Sequence, residues 1–282
     1  MLPALLGGCG GGDGPPVPTD PVLERHFRAG HAAIGLDQPA QAIRHYSEAL
    51  ARARARDDAA AIGDLAFNLV VTQERAGQPE IALRTFREVS AELARRNATI
   101  PPALRLAGAI ALYRLGRLPE ADAAAAAVEP GSDPEIAMRA AFLRGLVADE
   151  NGDAAGLRRA FARLAAAKAP EGLGDQSELA ARIALRERDP RRARAEAERA
   201  AALRRDLLDY RALARCLALA ARAAEETGDP AAAADLYLRA GRSATAQGEK
   251  PSAREWLSRA IALSRDAALS SEARAALAGT NQ

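Results

Sequence analysis

An all-α chain of repeated helical hairpins is the fold this 282-residue sequence predicts, and three observations predict it. Hydrophobic residues make up 49% of the chain but aromatics only 4%, so the apolar content is mostly alanine and leucine, the strong helix formers, and residues that favour strands are scarce. A turn signal, Gly or Asp followed by Pro, recurs at a fixed interval: Pro39, Pro79 and Pro119 are spaced by 40 and 40, and Pro190 and Pro230 by 40 again. No stretch reaches the roughly 18 consecutive apolar residues that a membrane-spanning helix requires.

The first element, residues 1–20, is MLPALLGGCGGGDGPPVPTD, a Gly- and Pro-rich leader and tether without helical periodicity. Leu5-Leu6-Gly7-Gly8-Cys9 resembles the end of a bacterial lipoprotein signal peptide. The resemblance implies that Cys9 is lipidated and that Gly10 to Thr19 is the tether behind it. Gly10, where an Asp would retain the protein at the inner membrane, implies the periplasmic face of the outer membrane. Only eight residues precede Cys9 and none is basic, so export implies a start upstream of Met1 with a basic n-region. The alternative is a Gly-rich cytoplasmic tail.

From residue 21 to residue 282 the sequence reads as one repeat domain. Its turns are Asp37-Gln38-Pro39, Gly77-Gln78-Pro79, Gly116-Arg117-Leu118-Pro119, Asn151-Gly152-Asp153, Asp189-Pro190, Gly228-Asp229-Pro230 and Gly248-Glu249-Lys250-Pro251. Pro at the first helical position loses no hydrogen bond, and Gly closes the helix before it. About fourteen helices follow between Asp20 and Gly279, with Asp266 to Gly279 as a capping helix. Small residues fall where paired helices would cross: Gly30, Ala42 and Ala49 around Tyr46; Gly77 and Ala82 beside Leu69 and Phe86; Gly241, Gly248, Ala253 and Ala260 around Tyr237 and Leu257. This pattern resembles tetratricopeptide repeats of a long-helix variety. The resemblance implies a helix-turn-helix solenoid wound as a right-handed superhelix. Pro230 and Pro251 lie only 21 apart, so the helix starting at Pro230 is expected to close one repeat and open the next.

Chemistry-bearing motifs are missing from this reading. Lys+Arg number 39 against Asp+Glu 37, a net charge of +2, which gives no field for nucleic acid. Cys9 and Cys216 form no disulfide framework, and Cys216 lies among apolar helix neighbours as a small core residue. His26 and His31, five apart, fall on different faces of one helix and His45 falls on the next, so no metal site is expected. Gly172-Leu173-Gly174-Asp175 lacks the strand and third glycine of a dinucleotide fingerprint and reads as an inter-helix loop. The expectation is a non-enzymatic chain with no cofactor.

Laying the tetratricopeptide pattern on each repeat assigns the groove-facing positions of the first helices. It implies Phe27, Arg28 and His31; Phe67, Asn68 and Arg75; Tyr113 and Arg114; Arg139 and Phe142; and an arginine-rich end with Arg182, Arg186, Arg215, Arg222, Arg239 and Arg242. Aromatics flanked by arginines are typical of interface hot spots; the competing reading makes the rings core and the arginines a solvated face. The function implied is an envelope lipoprotein adaptor that holds an extended or helical segment of another protein, acidic where it meets the arginine-rich end. Two alternatives stand beside it: a cytoplasmic regulatory module of the same repeat type, and a small-ligand receptor with an enclosed apolar cavity.

Overall fold

A computed structural model describes residues 20–128 and 132–280. Its elements are α1 (Pro21–Gly35), α2 (Pro39–Ala55), α3 (Ala59–Arg75), α4 (Pro79–Arg95), α5 (Pro102–Arg114), α6 (Leu118–Ala126), α7 (Pro134–Glu150), α8 (Ala154–Arg163), α9 (Pro170–Arg186), α10 (Pro190–Asp206), α11 (Tyr210–Glu226), α12 (Pro230–Ala246), α13 (Lys250–Leu263) and α14 (Ala267–Gly279). No strand occurs among the described residues. The helices fall into two compact units, one of α1 to α6 and one of α7 to α14. Cys9 lies outside the described residues.

The 40-residue interval has a simple physical origin. Helices α2, α3, α4, α9, α10, α11 and α12 are each 17 residues long, and a three-residue turn follows most of them, so two helices and two turns complete one period. The turns share one construction. The residue after the helix cap takes a positive φ, and the next N–H reaches back five residues to a helix carbonyl, as from Gln38 to Ala33 at 2.8 Å and from Asp209 to Arg204 at 2.9 Å. This closure satisfies carbonyls that the helix end would otherwise leave unpaired. Glycine fills the position at Gly77, Gly116, Gly152, Gly228 and Gly248, whereas Asp37, Asp57, Asn97, Arg188 and Leu208 occupy it elsewhere. Aspartate side chains then cap the following helix: Asp58 accepts from the Ala61 N–H, Asp189 from Arg192 and Asp229 from Ala232. Each such cap contributes about 1 kcal/mol.

Small residues set the helix spacing, as the sequence pattern anticipates. A methyl group added at Gly30 would come 2.6 Å from the Tyr46 ring, one at Gly108 2.6 Å from Phe86, and one at Gly241 2.5 Å from Leu257. Ala42, Ala49, Ala82, Ala253 and Ala260 are fully buried. The expected change of register is also present. Helix α12 packs on both α11 and α13 and reaches α14. Gly241 of α12 receives Leu257 of α13 as Gly30 of α1 receives Tyr46 of α2, so α12 is the second helix of one hairpin and the first of the next.

The structure corrects the loop reading. Gly172-Leu173-Gly174-Asp175 is not a loop; it is the buried N-terminal part of α9. Pro170 opens that helix, and Gly174 leaves room for the Arg204 guanidinium, which a Cβ there would approach to 3.2 Å.

Candidate functional site

The second unit is held together by a network of buried carboxylates and arginines. On α9, Asp175, Glu178, Arg182 and Arg186 are spaced by three, four and four residues, which places them on one face. Asp175 and Glu178 are wholly buried. Arg139 of α7 donates to both Asp175 oxygens at 2.8 Å, and Arg204 of α10, itself almost fully buried, donates to Asp175 as well. Both guanidinium groups lie near the Phe142 ring, 5.8 and 5.9 Å from its centroid.

Glu178 receives Arg182 at 3.1 Å and Arg215 of α11 at 3.1 and 3.2 Å. Arg182 and Arg186 converge in turn on Asp149, at 2.8 and 2.5 Å. One strip therefore runs across α7, α9 and α11, every link joining groups on neighbouring helices or one turn apart.

The charges are matched so that burial is tolerated. Burial raises the Glu178 carboxyl, but the fields of Arg215 and Arg182 and the hydrogen bond from Arg215 outweigh it and hold the group at about 2. Burial likewise raises Asp149, and Arg182 and Arg186 bring it below the usual carboxylate range. Desolvation lowers Arg204, yet Asp175 and Glu178 more than restore it, so the buried guanidinium stays charged. Cys216 lies against Glu178, its Sγ 3.8 Å from Oε2, and burial together with that carboxylate pushes the thiol well up.

The strip is anchored below and open above. Arg139, Arg186 and Arg215 keep 35%, 34% and 31% of their side-chain surface exposed, and Arg182 keeps 11%. Phe142 is only 6% exposed; its ring is core under two guanidinium groups and not a groove anchor, which corrects that assignment. The remaining arginines are arranged differently. Arg222 pairs with Glu226 and Arg239 with Asp235, each within its own helix. Arg242 of α12 pairs with Glu272 of α14.

In the first unit the assigned residues are more dispersed. Phe27 is half-buried, its ring 4.5 Å from that of His31 and 6.3 Å from that of Tyr46. His31 is exposed and meets the Tyr46 hydroxyl at 2.9 Å. Arg28 is exposed along α1 and donates to the Glu24 carbonyl, and Asn68 donates to the Asp64 carbonyl. Phe67 and Tyr113 are half-buried. Arg75 pairs with Asp37 at 3.2 Å, and Arg114 donates to the Glu74 carbonyl and carboxylate at 2.6 and 2.7 Å. Those two pairs join one repeat to the next, as do Arg54 with Glu92 and Arg96 with Asp57. Sequence reasoning missed Asp149, Asp175, Glu178 and Arg204. The 3-4-4 spacing of acids and arginines along α9 was the available signal.

No family model matches the chain, and no curated protein matches its sequence. Among solved structures it is similar to a tetratricopeptide repeat protein from Parabacteroides merdae, with 16% identity, a TM-score of 0.51, and 93% of this chain and 99% of that chain covered. Two further similar structures are the TPR2AB domain of yeast Sti1 in complex with pHSP90 (16% identity, TM-score 0.36, 92% and 98% covered) and a TPR repeats protein from Bacteroides fragilis (13%, 0.32, 91% and 98%). The Parabacteroides likeness, the hairpin period and the small-residue crossings agree: the chain has the fold of a tetratricopeptide-type helical-repeat solenoid.

Proposed function

We propose that this protein is an adaptor that binds a segment of another protein along the arginine strip of its second unit, and that it is anchored in the bacterial cell envelope through Cys9. One observation carries the binding part: arginines on three successive first helices are held by carboxylates, two of them wholly buried, while a third of each of the three arginine side chains remains exposed. Guanidinium groups fixed in advance lose less side-chain entropy on binding, and arginine is enriched in interface hot spots. Carboxylates or backbone carbonyls of a partner are the groups such donors recognise.

The receptor alternative calls for a deep apolar cavity. The depressions at Glu80, Leu83, Arg84, Arg87, Glu88, Leu115 and Arg117 (about 420 Å³) and at Arg222, Glu225, Glu226, Tyr237 and Arg259 (about 360 Å³) are instead open and mostly lined by charged side chains. The anchor rests on the Leu5 to Cys9 pattern and the tether after it.

Paired substitutions test the two parts separately. Arg186→Gln leaves Arg182 on Asp149 and should fold as the parent does while retaining about tenfold less partner in capture from the native host. Equal retention would overturn the strip as the binding surface. Cys9→Ser in the full gene product should move the protein from membranes to the soluble fraction, and unchanged fractionation would overturn the anchor alone.

A further inference from the structure

The chain has three histidines, and all lie within its first 45 residues. Folding brings two of them together across the first hairpin. His26 of α1 and His45 of α2 are both half-buried, and their Nδ1 atoms stand 3.4 Å apart. The ring centroids are 5.7 Å apart with the planes inclined at 42°. His31, five residues along α1, is turned to the Tyr46 hydroxyl instead and is separate from the pair.

We infer that His26 and His45 form a two-histidine site for a borderline divalent transition metal, of the Zn²⁺, Ni²⁺ and Cu²⁺ class. Bonds of 2.0–2.1 Å from two imidazoles to one tetrahedral ion place the nitrogens roughly 3.3 Å apart, which is the separation these rings already hold. Imidazole is the ligand type this class of ion selects. The two Nδ1 atoms stand within hydrogen-bond distance of each other, the tautomers setting which one donates. Binding requires both Nδ1 lone pairs, so a proton on either Nδ1 passes through solvent to Nε2 of the same ring. Small tilts of the two rings move the ion off the line between the nitrogens. No group of three or more His, Cys, Asp or Glu able to hold a metal occurs among the described residues. The described residues therefore supply two ligands, and water fills the remaining positions on the solvent side. The ion bridges α1 to α2 and ties the first helix of the array to the second.

Zinc chloride alone, titrated calorimetrically into the intact chain, should show one site per chain, with Cu²⁺ binding more tightly than Zn²⁺. Zinc should also raise the melting temperature, because it binds only the paired, folded arrangement. His26→Gln and His45→Gln, which keep a polar side chain of similar size, should each abolish both effects, while His31→Gln should keep them. Absence of a site in the parent chain, or a site that survives in both the His26 and His45 variants, would overturn the assignment.

Discussion

Two glycines five residues apart on α1 should respond to the same substitution with opposite signs. A Cβ at Gly30 would lie 2.6 Å from Tyr46 Cε1 and 2.9 Å from Cδ1 and Cζ, and Tyr46 is 2% exposed with its hydroxyl held by His31. Alanine gains about 1 kcal/mol of helix propensity over glycine. Forcing the buried ring aside costs about 1–3 kcal/mol, so Gly30→Ala should be destabilising by about 1 kcal/mol and Gly30→Leu by about 3 kcal/mol. Gly35 is in the last position of the same helix with nothing within 4 Å of a Cβ. There only the propensity gain and the stiffer unfolded chain act, and Gly35→Ala should stabilise by about 0.5 kcal/mol. Repeat arrays open locally, so native-state hydrogen exchange of the α1 and α2 amides is the suitable assay, with urea denaturation beside it. Changes of the same sign in both alanine variants would refute the claim that small residues set the helix spacing.

Three further outcomes follow from the same contacts. Glu178→Gln leaves Arg182 and Arg215 without their shared carboxylate and should cost about 3 kcal/mol in urea denaturation. Because the folded Glu178 sits at about 2 against an ordinary 4.5, its contribution is fully present above pH 4.5 and should be lost as pH falls from 4.5 toward 2, an effect of about 3 kcal/mol that the Gln variant should not show. Leu208, 53% exposed at φ 56°, occupies the left-handed region that costs a side-chain-bearing residue about 1 kcal/mol; Leu208→Gly should raise the urea midpoint, while an unchanged or lower midpoint would count against strain there. Burial and the neighbouring Glu178 keep the Cys216 thiol protonated, so in a Cys9→Ser background a thiol reagent at pH 8 should react only once the chain is unfolded.

What was legible in the sequence is what is encoded locally. Prolines at first helical positions, aspartate caps and the glycines of the turns each act within six residues of themselves, and they place α2, α4, α10 and α12 to the residue. The shared role of α12 was legible for the same reason, since the 21-residue gap from Pro230 to Pro251 leaves room for one helix and its turn only.

The buried network was not legible, because its partners are far apart along the chain. Asp175 meets Arg204 29 residues on and Arg139 36 residues back, and Glu178 meets Arg215 37 residues on. Helix propensity and capping carry no information at that range. Gly172 and Gly174 read as loop residues because glycine weakens helices; here Gly174 accommodates the close approach of Arg204, a tertiary contact that local propensity does not report. The histidines show the same limit. The sequence spacing put His26 and His31 on different faces of α1, yet both meet residues of α2, His45 and Tyr46, and those pairings depend on how α2 folds back.

The adaptor account is tested most directly by a photo-crosslinking residue placed in the intact chain at Arg186, and in a second chain at Arg199, followed by irradiation in the native host. Arg186 is the exposed end of the strip on α9, and Arg199 is exposed on α10, the second helix of its hairpin. The account predicts one specific protein adduct from position 186 and none of that size from position 199; the same adducts from both positions, or an adduct from position 199 alone, would contradict it.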